Sequence, residues 1–161
     1  MLLALAAIVG VGAPGAEFTC TPTYVWSADG PIWCSEGMQF RLNGIVARQP
    51  DGSCAIRGGC PAMDGRKARD LLIRLLQAEH TEVLPSGHVR VLGAVPLRCT
   101  WRGIIANIGS ASCTALARTN LVFPTGRDLA CHLIYGHAAK EWRQQSKGTL
   151  RGCAKAAYVS A

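Results

Sequence analysis

Only ten aspartates and glutamates stand against seventeen lysines and arginines, so this chain has few acids from which to build acid–base or metal chemistry. Two of them sit at turns: Asp29 in Asp29-Gly30-Pro31, and Asp51 in Pro50-Asp51-Gly52. Between these turns runs Gln39-Phe40-Arg41-Leu42-Asn43-Gly44-Ile45-Val46-Ala47-Arg48-Gln49, which delivers two guanidinium groups and a terminal amide at the end of a strand-like stretch. Guanidinium groups so placed suit phosphate oxygens, which they bind in bidentate fashion. Arg41 reads equally well as a barrel-surface arginine with a solvated head. No G-x-S-x-G, Walker loop or H-E-x-x-H is present, and Ser110 and Ser146 have no local partner that marks a nucleophile. His80 and His88 flank a loop while His132 and His137 lie far along the chain, an arrangement that favours surface or satisfied polar histidines over an acid–base set.

The reactive side chains present in number are the cysteines, eight of them, all after residue 16: Cys20, Cys34, Cys54, Cys60, Cys99, Cys113, Cys131 and Cys153. Zinc would ask for C-x-x-C or a His at ligand spacing from a cysteine pair, and neither occurs beyond the adjacent Cys131-His132. An even count in an exported chain reads as disulfides. Nearest-neighbour pairing predicts Cys20–Cys34, Cys54–Cys60, Cys99–Cys113 and Cys131–Cys153. Export is itself predicted from the uncharged apolar opening, Leu2-Leu3-Ala4-Leu5-Ala6-Ala7-Ile8-Val9, followed by small residues to Ala16. Residues 1–16 resemble a signal peptide without its basic start, and the run falls short of the roughly 20 apolar residues of a membrane span. Residues 17–161 are then one domain, periplasmic or secreted. The 49% hydrophobic and 17% charged residues of the whole chain argue against disorder. A formal charge of +7 and a pI near 9.2 favour polyanionic partners.

The elements that must position these residues follow from periodicity. Phe18–Trp26 is rich in β-branched and aromatic residues, Asp29-Gly30-Pro31 reverses the chain before Ile32-Trp33-Cys34, and Met38–Ala47 alternates as a third strand. Gln49–Pro61 is a Gly/Pro loop. Ala62–Glu79 is the clearest helix, capped by Asp64, with Ala68, Leu71, Leu72, Leu75 and Leu76 on one stripe and its arginines largely off it. His88–Leu92, Leu97–Trp101 and Thr114–Arg118 read as strands. Gly126–Gly136 reads as a short helix, and the basic tail (Lys140, Arg143, Lys147, Arg151, Lys155) as partly helical. Trp26, Trp33, Trp101 and Trp142 could stack bases, but in a domain with few aromatics most are expected in the core. Three strands, a helix, further strands and a closing helix predict an α+β fold: a five-stranded OB-fold barrel with a helix inserted after the third strand and helices near the C-terminus.

From Tyr24 to Trp142 the order and spacing of these pieces resemble the staphylococcal-nuclease-like (thermonuclease) family. The matching pieces are Asp29-Gly30, R-L-N-G-I at Arg41–Ile45, C-T-A-L-A-R at Cys113–Arg118, and G-R-D-L-A-C-H-L-I-Y-G-H-A at Gly126–Ala138. The resemblance implies the same OB fold and a calcium-assisted phosphodiesterase, with carboxylates on the ion, a carboxylate base and two phosphate-binding arginines. Asp29 and Arg41 keep the family residue. Pro31 and Val46 stand at the metal carboxylates, Gln49 at the base, Arg48 at the neighbouring proline, and Thr114 at the second arginine. A gapped alignment would let Asp51 supply an acid. Pro and Val offer no side-chain oxygen, so no calcium site and no other cofactor is expected. Three functions compete: a degenerate nuclease that binds nucleic acid or another polyanion, an active nuclease using other acids such as Asp51, and a disulfide-stapled envelope module.

Overall fold

The computed structural model describes residues 11–116, 128–150 and 152–153. Expectations for Met1–Gly10, Arg118, Gly126-Arg127, Arg151 and Lys155 lie outside the described residues.

Alternation sets the first half. β1 (Glu17–Cys20), β2 (Pro22–Val25), β3 (Ile32–Cys34) and β4 (Gln39–Leu42) send Cys20, Val25, Ile32, Phe40 and Leu42 into one core. The expected strand Phe18–Trp26 is broken at Thr21 into β1 and β2, which join different neighbours. Met38–Ala47 divides likewise: Asn43-Gly44 separates β4 from β5 (Ile45–Val46), with Gly44 at φ 81° against Ser146.

After α1 (Gly65–Leu75) come β6 (His80–Val83), β7 (Val89–Leu92), β8 (Leu97–Ile105), β9 (Ile108–Ala115), α2 (Leu129–Tyr135), β10 (Lys140–Glu141) and α3 (Arg143–Ser146). The fold is α+β. Eight strands form one mixed sheet in the order β1-β8-β9-β4-β3-β2-β7-β6, with β4 and β9 parallel, and β5 pairs separately with β10. This corrects the expected five-stranded closed barrel: the sheet is open. The edge of β8 away from β9 is taken by β1, and the edge of β7 away from β2 is taken by β6. The strands that would have to meet to close a barrel are thus already paired on both sides.

Two elements escaped the sequence for identifiable reasons. β6 is exposed at every position, so it has no buried alternation to reveal it. The β8–β9 hairpin is longer than Leu97–Trp101 and Thr114–Arg118 suggested, because its two-residue turn is Ala106-Asn107, with φ 47° and 65°. Such turns favour Asn-Gly or Asp-Gly, and alanine in the first position hides one.

In α1, Asp64 caps the helix, accepting from Arg66 N (3.0 Å) and Lys67 N (3.2 Å). Ala68, Leu72, Leu75 and Leu76 are buried as expected, while Leu71 is only half-buried. Arg69, placed off the stripe by periodicity, is 5% exposed. Its guanidinium donates to the carbonyls of Gly87 (2.8 Å) and Trp26 (3.4 Å), fixing the helix across β2 and the β6–β7 turn. The helix ends early because Gln77 turns left-handed, at φ 54°.

All four expected disulfides are present: Cys20–Cys34, Cys54–Cys60, Cys99–Cys113 and Cys131–Cys153. Cys99 and Cys113 face each other in the β8–β9 register, and α2 is tied to the C-terminal segment. Residues just before Glu17 lie on the sheet, with Gly15 N donating to Trp101 O (2.8 Å) and Trp101 N to Ala16 O (2.9 Å). Among the described residues no helix is long and apolar enough to cross a membrane.

The first helical residue, Gly65, decides how closely α1 approaches the loop that carries Arg48 and Gln49. A Cβ there would fall inside the carbonyl groups of both. Helix propensity alone predicts that Gly65→Ala stabilises by about 1 kcal/mol. Overpacking against backbone costs about 1–3 kcal/mol and should win. The expected outcome is a lower urea midpoint for Gly65→Ala; a rise would show that the loop yields.

Candidate functional site

The turn between β2 and β3 places Asp29 under the end of β4. Asp29 is 4% exposed, and its carbonyl accepts from Leu42 N at 3.0 Å. Ser27 Oγ makes a short hydrogen bond to Asp29 Oδ1 and also lies 2.6 Å from Gly30 O. Gln49 Nε2 donates to Oδ1 at 3.2 Å, Ala47 N donates to Oδ2 at 3.2 Å, and Arg41 stands 3.8 Å from Oδ2. Both carboxylate oxygens are therefore engaged by the protein's own donors.

Gln49 works at both ends. Its amide nitrogen also donates to Ala47 O (3.3 Å), and its Oε1 accepts from the indole N–H of Trp26 at 3.0 Å. A glutamate could not donate to Asp29. It would instead set a second carboxylate against the first, forcing one of the pair to protonate.

The structure brings Asp29, Arg41 and Gln49 together, while the other candidate positions do different work. Pro31 is buried, and Val46 is 3% exposed on β5, opposite Lys140. Arg48 holds the following loop closed, donating to Gly52 O (2.9 Å) and Pro61 O (3.3 Å). Thr114 lies beside Arg98; the residue opposite Arg41 on β9 is Ser110, about 13 Å back along the strand at its usual rise. Ser110 is buried and donates to Asn43 Oδ1 at 3.2 Å. Asp51 is exposed and bound to Ser53 N (2.9 Å) and Oγ (2.6 Å), contacts that hold its carboxyl below the ordinary value, the Ser53 hydroxyl foremost.

Among the described residues, the one grouping of three metal-type side chains is Cys20, Cys34 and Glu36. Its two sulfurs form a disulfide and Glu36 accepts from Thr21 N and Oγ1. None of the four histidines joins another acid or histidine in such a grouping.

A feature absent from the sequence reading lies on the same face as Arg41. Asn43, Ser112, Arg102, Asp128, Gln145 and Lys147 line a cleft of about 410 Å³ between β9 and the C-terminal segment. Arg102 Nε donates to Ser112 Oγ at 3.1 Å, and Gly44 N donates to Gln145 Oε1 at 3.2 Å. Asp128 caps α2 through Ala130 N at 2.7 Å. Burial pushes its carboxyl up to about 6, against the opposing pull of Ala130 N–H, the Ser112 hydroxyl and the Arg102 charge. The cleft thus presents two cations and one acid that changes charge near neutral pH. Only distant segments make it, so no local motif announces it.

Set against known protein families, curated proteins and solved structures, the chain matches none.

A carboxyl titrating at about 6 in the fold and at 3.8 when unfolded binds more protons folded than unfolded between those values. Folding stability from this group is therefore greatest below pH 4 and declines as pH rises toward 6, by at most about 3 kcal/mol. Asp128→Asn keeps the cap without the buried charge. It should be more stable than the unmodified protein at pH 7.5, with the advantage vanishing by pH 4, as measured by denaturant midpoints across that range. An advantage that persists at pH 4 would refute the buried-charge account.

Proposed function

We propose that the chain is an exported thermonuclease-like OB-fold protein that binds nucleic acid or another polyanion and does not hydrolyse it by the calcium mechanism. The observation that carries this reading is the Asp29 carboxylate. It is the one acid retained at the family's positions, and Ser27, Ala47, Gln49 and Arg41 occupy both of its oxygens. Calcium needs six to eight oxygen ligands, several of them anionic. Here the other two places hold a buried proline and a buried valine.

The OB-fold relationship is supported by connectivity. β2, β3 and β4 form a meander, α1 follows it, and β9 returns parallel to β4 while β7 lies antiparallel to β2. Export is supported by four disulfides, which persist in oxidising compartments. Binding is supported by the +7 charge and by Arg41, Arg102 and Lys147 on one side of the sheet.

Incubation of single- and double-stranded DNA with the protein should give no cutting that depends on added calcium or is abolished by a chelator; chelator-sensitive cutting would overturn the reading. Affinity for an oligonucleotide or for heparin should fall steeply with salt, and a flat response would remove polyanion binding. Restoring the family acids through Pro31→Asp, Val46→Asp and Gln49→Glu together should destabilise the fold rather than create a nuclease. Each change buries a carboxylate or sets it against Asp29, at roughly 1–3 kcal/mol or more apiece.

A further inference from the structure

The sheet sorts the aromatic residues on and beside its strands by face. Phe18, Phe40 and Trp101 pack together in the core, with Phe18 and Trp101 stacked at 4.2 Å between centroids. Tyr24, Trp26 and Trp33 lie on the opposite face, and His88 joins them. Cross-strand register runs Gln39–Trp33–Tyr24–Arg90 over β4, β3, β2 and β7. Residues directly opposite share a face. His88 sits between the indoles, 4.8 Å from the ring of Trp26 and 5.1 Å from that of Trp33. All four rings are half-exposed. This corrects the expectation that most tryptophans pack the core, since only Trp101 does so.

The rings are held in place. Trp26 is fixed at its indole nitrogen by Gln49 and at its carbonyl by Arg69. Gly87, at φ 88°, lets the β6–β7 turn lie against that indole, where a Cβ would stand 3.2 Å from the ring. His88 Nδ1 is within 3.0 Å of Ser86 Oγ. Cations flank the rings at both ends: Arg41, two residues beyond Gln39 on the same face of β4, and exposed Arg90 on β7. Arg90 stands 3.9 Å from Glu82 in an exposed pair, which leaves its guanidinium open to competition. From β4 to β7 the face spans about 14 Å at the usual strand separation.

We infer that the face formed by Tyr24, Trp26, Trp33 and His88, between Arg41 and Arg90, is a stacking platform for single-stranded nucleic acid. The inference rests on the polyanion reading and specifies its ligand. Held, half-exposed rings offer flat surfaces to unpaired bases, and the flanking guanidinium groups meet the phosphates. A duplex hides its base faces and offers the platform only its backbone. A neutral glycan could use the same rings and the polar groups of Gln39, Tyr24 and Arg90, but it would gain nothing from the charge of the guanidinium groups at either end.

The test titrates the whole protein with oligodeoxythymidine, with a duplex of equal length, and with heparin, following tryptophan fluorescence and anisotropy. Oligodeoxythymidine should quench the fluorescence and bind more tightly than the duplex. Trp33→Ala with Tyr24→Ala should weaken binding to the single strand by about 10- to 100-fold with an unchanged salt slope. Trp33→Phe with Tyr24→Phe should restore most of it, which separates stacking from damage to the fold. Arg90→Ala should lower the salt slope by about 1 and leave the quenching. If the alanine pair binds oligodeoxythymidine as the unmodified protein does, or duplex and heparin bind equally well and quench equally, the platform is refuted while polyanion binding stands. If none of the three ligands binds, both fall.

Discussion

One buried carboxylate organises the part of the molecule that holds the candidate site. Asp29 sits where the β2–β3 turn passes beneath the end of β4, and Ser27, Ala47, Gln49 and Arg41 converge on its carboxylate. A buried anion is tolerated only when its oxygens are hydrogen-bonded and its charge is matched. Here an amide, a hydroxyl, a backbone N–H and a guanidinium share that task. The consequence reaches outward: Gln49, oriented by Asp29 and Ala47, in turn holds the indole of Trp26. The hub that closes the site thereby fixes one ring of the aromatic face.

The β4 and β9 pairing extends the same logic to the other side. Arg41 and Ser110 are register partners, and the alternate residues beyond them, Asn43 and Ser112, reach the cleft that Asp128 closes. Arg102 follows the core residue Trp101 on β8, so ordinary alternation turns it to this cleft. The strands thus bring Arg102 and Ser112, α3 and its cap bring Gln145 and Lys147, and the acid comes from the cap of a short helix anchored by Cys131–Cys153.

How much of this was legible in the sequence depended on range. Cysteine pairing by proximity in the chain succeeded because each bridge spans a short stretch of it: β1 to β3 past β2, one loop, a hairpin, and a helix with the segment after it. The Asp64 cap and the apolar stripe of α1 were readable for the same local reason. The fold class was readable too, but barrel closure was not, since it depends on which distant strand takes each edge. Nothing within Glu17–Cys20 says that it will pair with β8. Arg69 defeats periodicity because its partners are carbonyls from β2 and the β6–β7 turn. The cleft and the ring face, each assembled from segments tens of residues apart, were equally hidden.

The departures from the nuclease pattern have a common electrostatic sense. In a metal-dependent site, the positive charge of the ion and the guanidinium groups is balanced by carboxylates. On the proposed relationship, Pro31, Val46 and Gln49 remove three negative charges at once, while Asp29 and Arg41 remain as a pair. Losing the ion without losing its ligands would leave uncompensated anions repelling one another beside a phosphate chain. Losing both leaves a site that is neutral at its centre and basic around it, from Arg90 across Arg41 to Arg102 and Lys147. Such a surface gains attraction for a polyanion as it gives up the means to cut one. The amide of Gln49 makes the exchange physically consistent, because only a side chain with both a donor and an acceptor can satisfy Asp29 and Trp26 together.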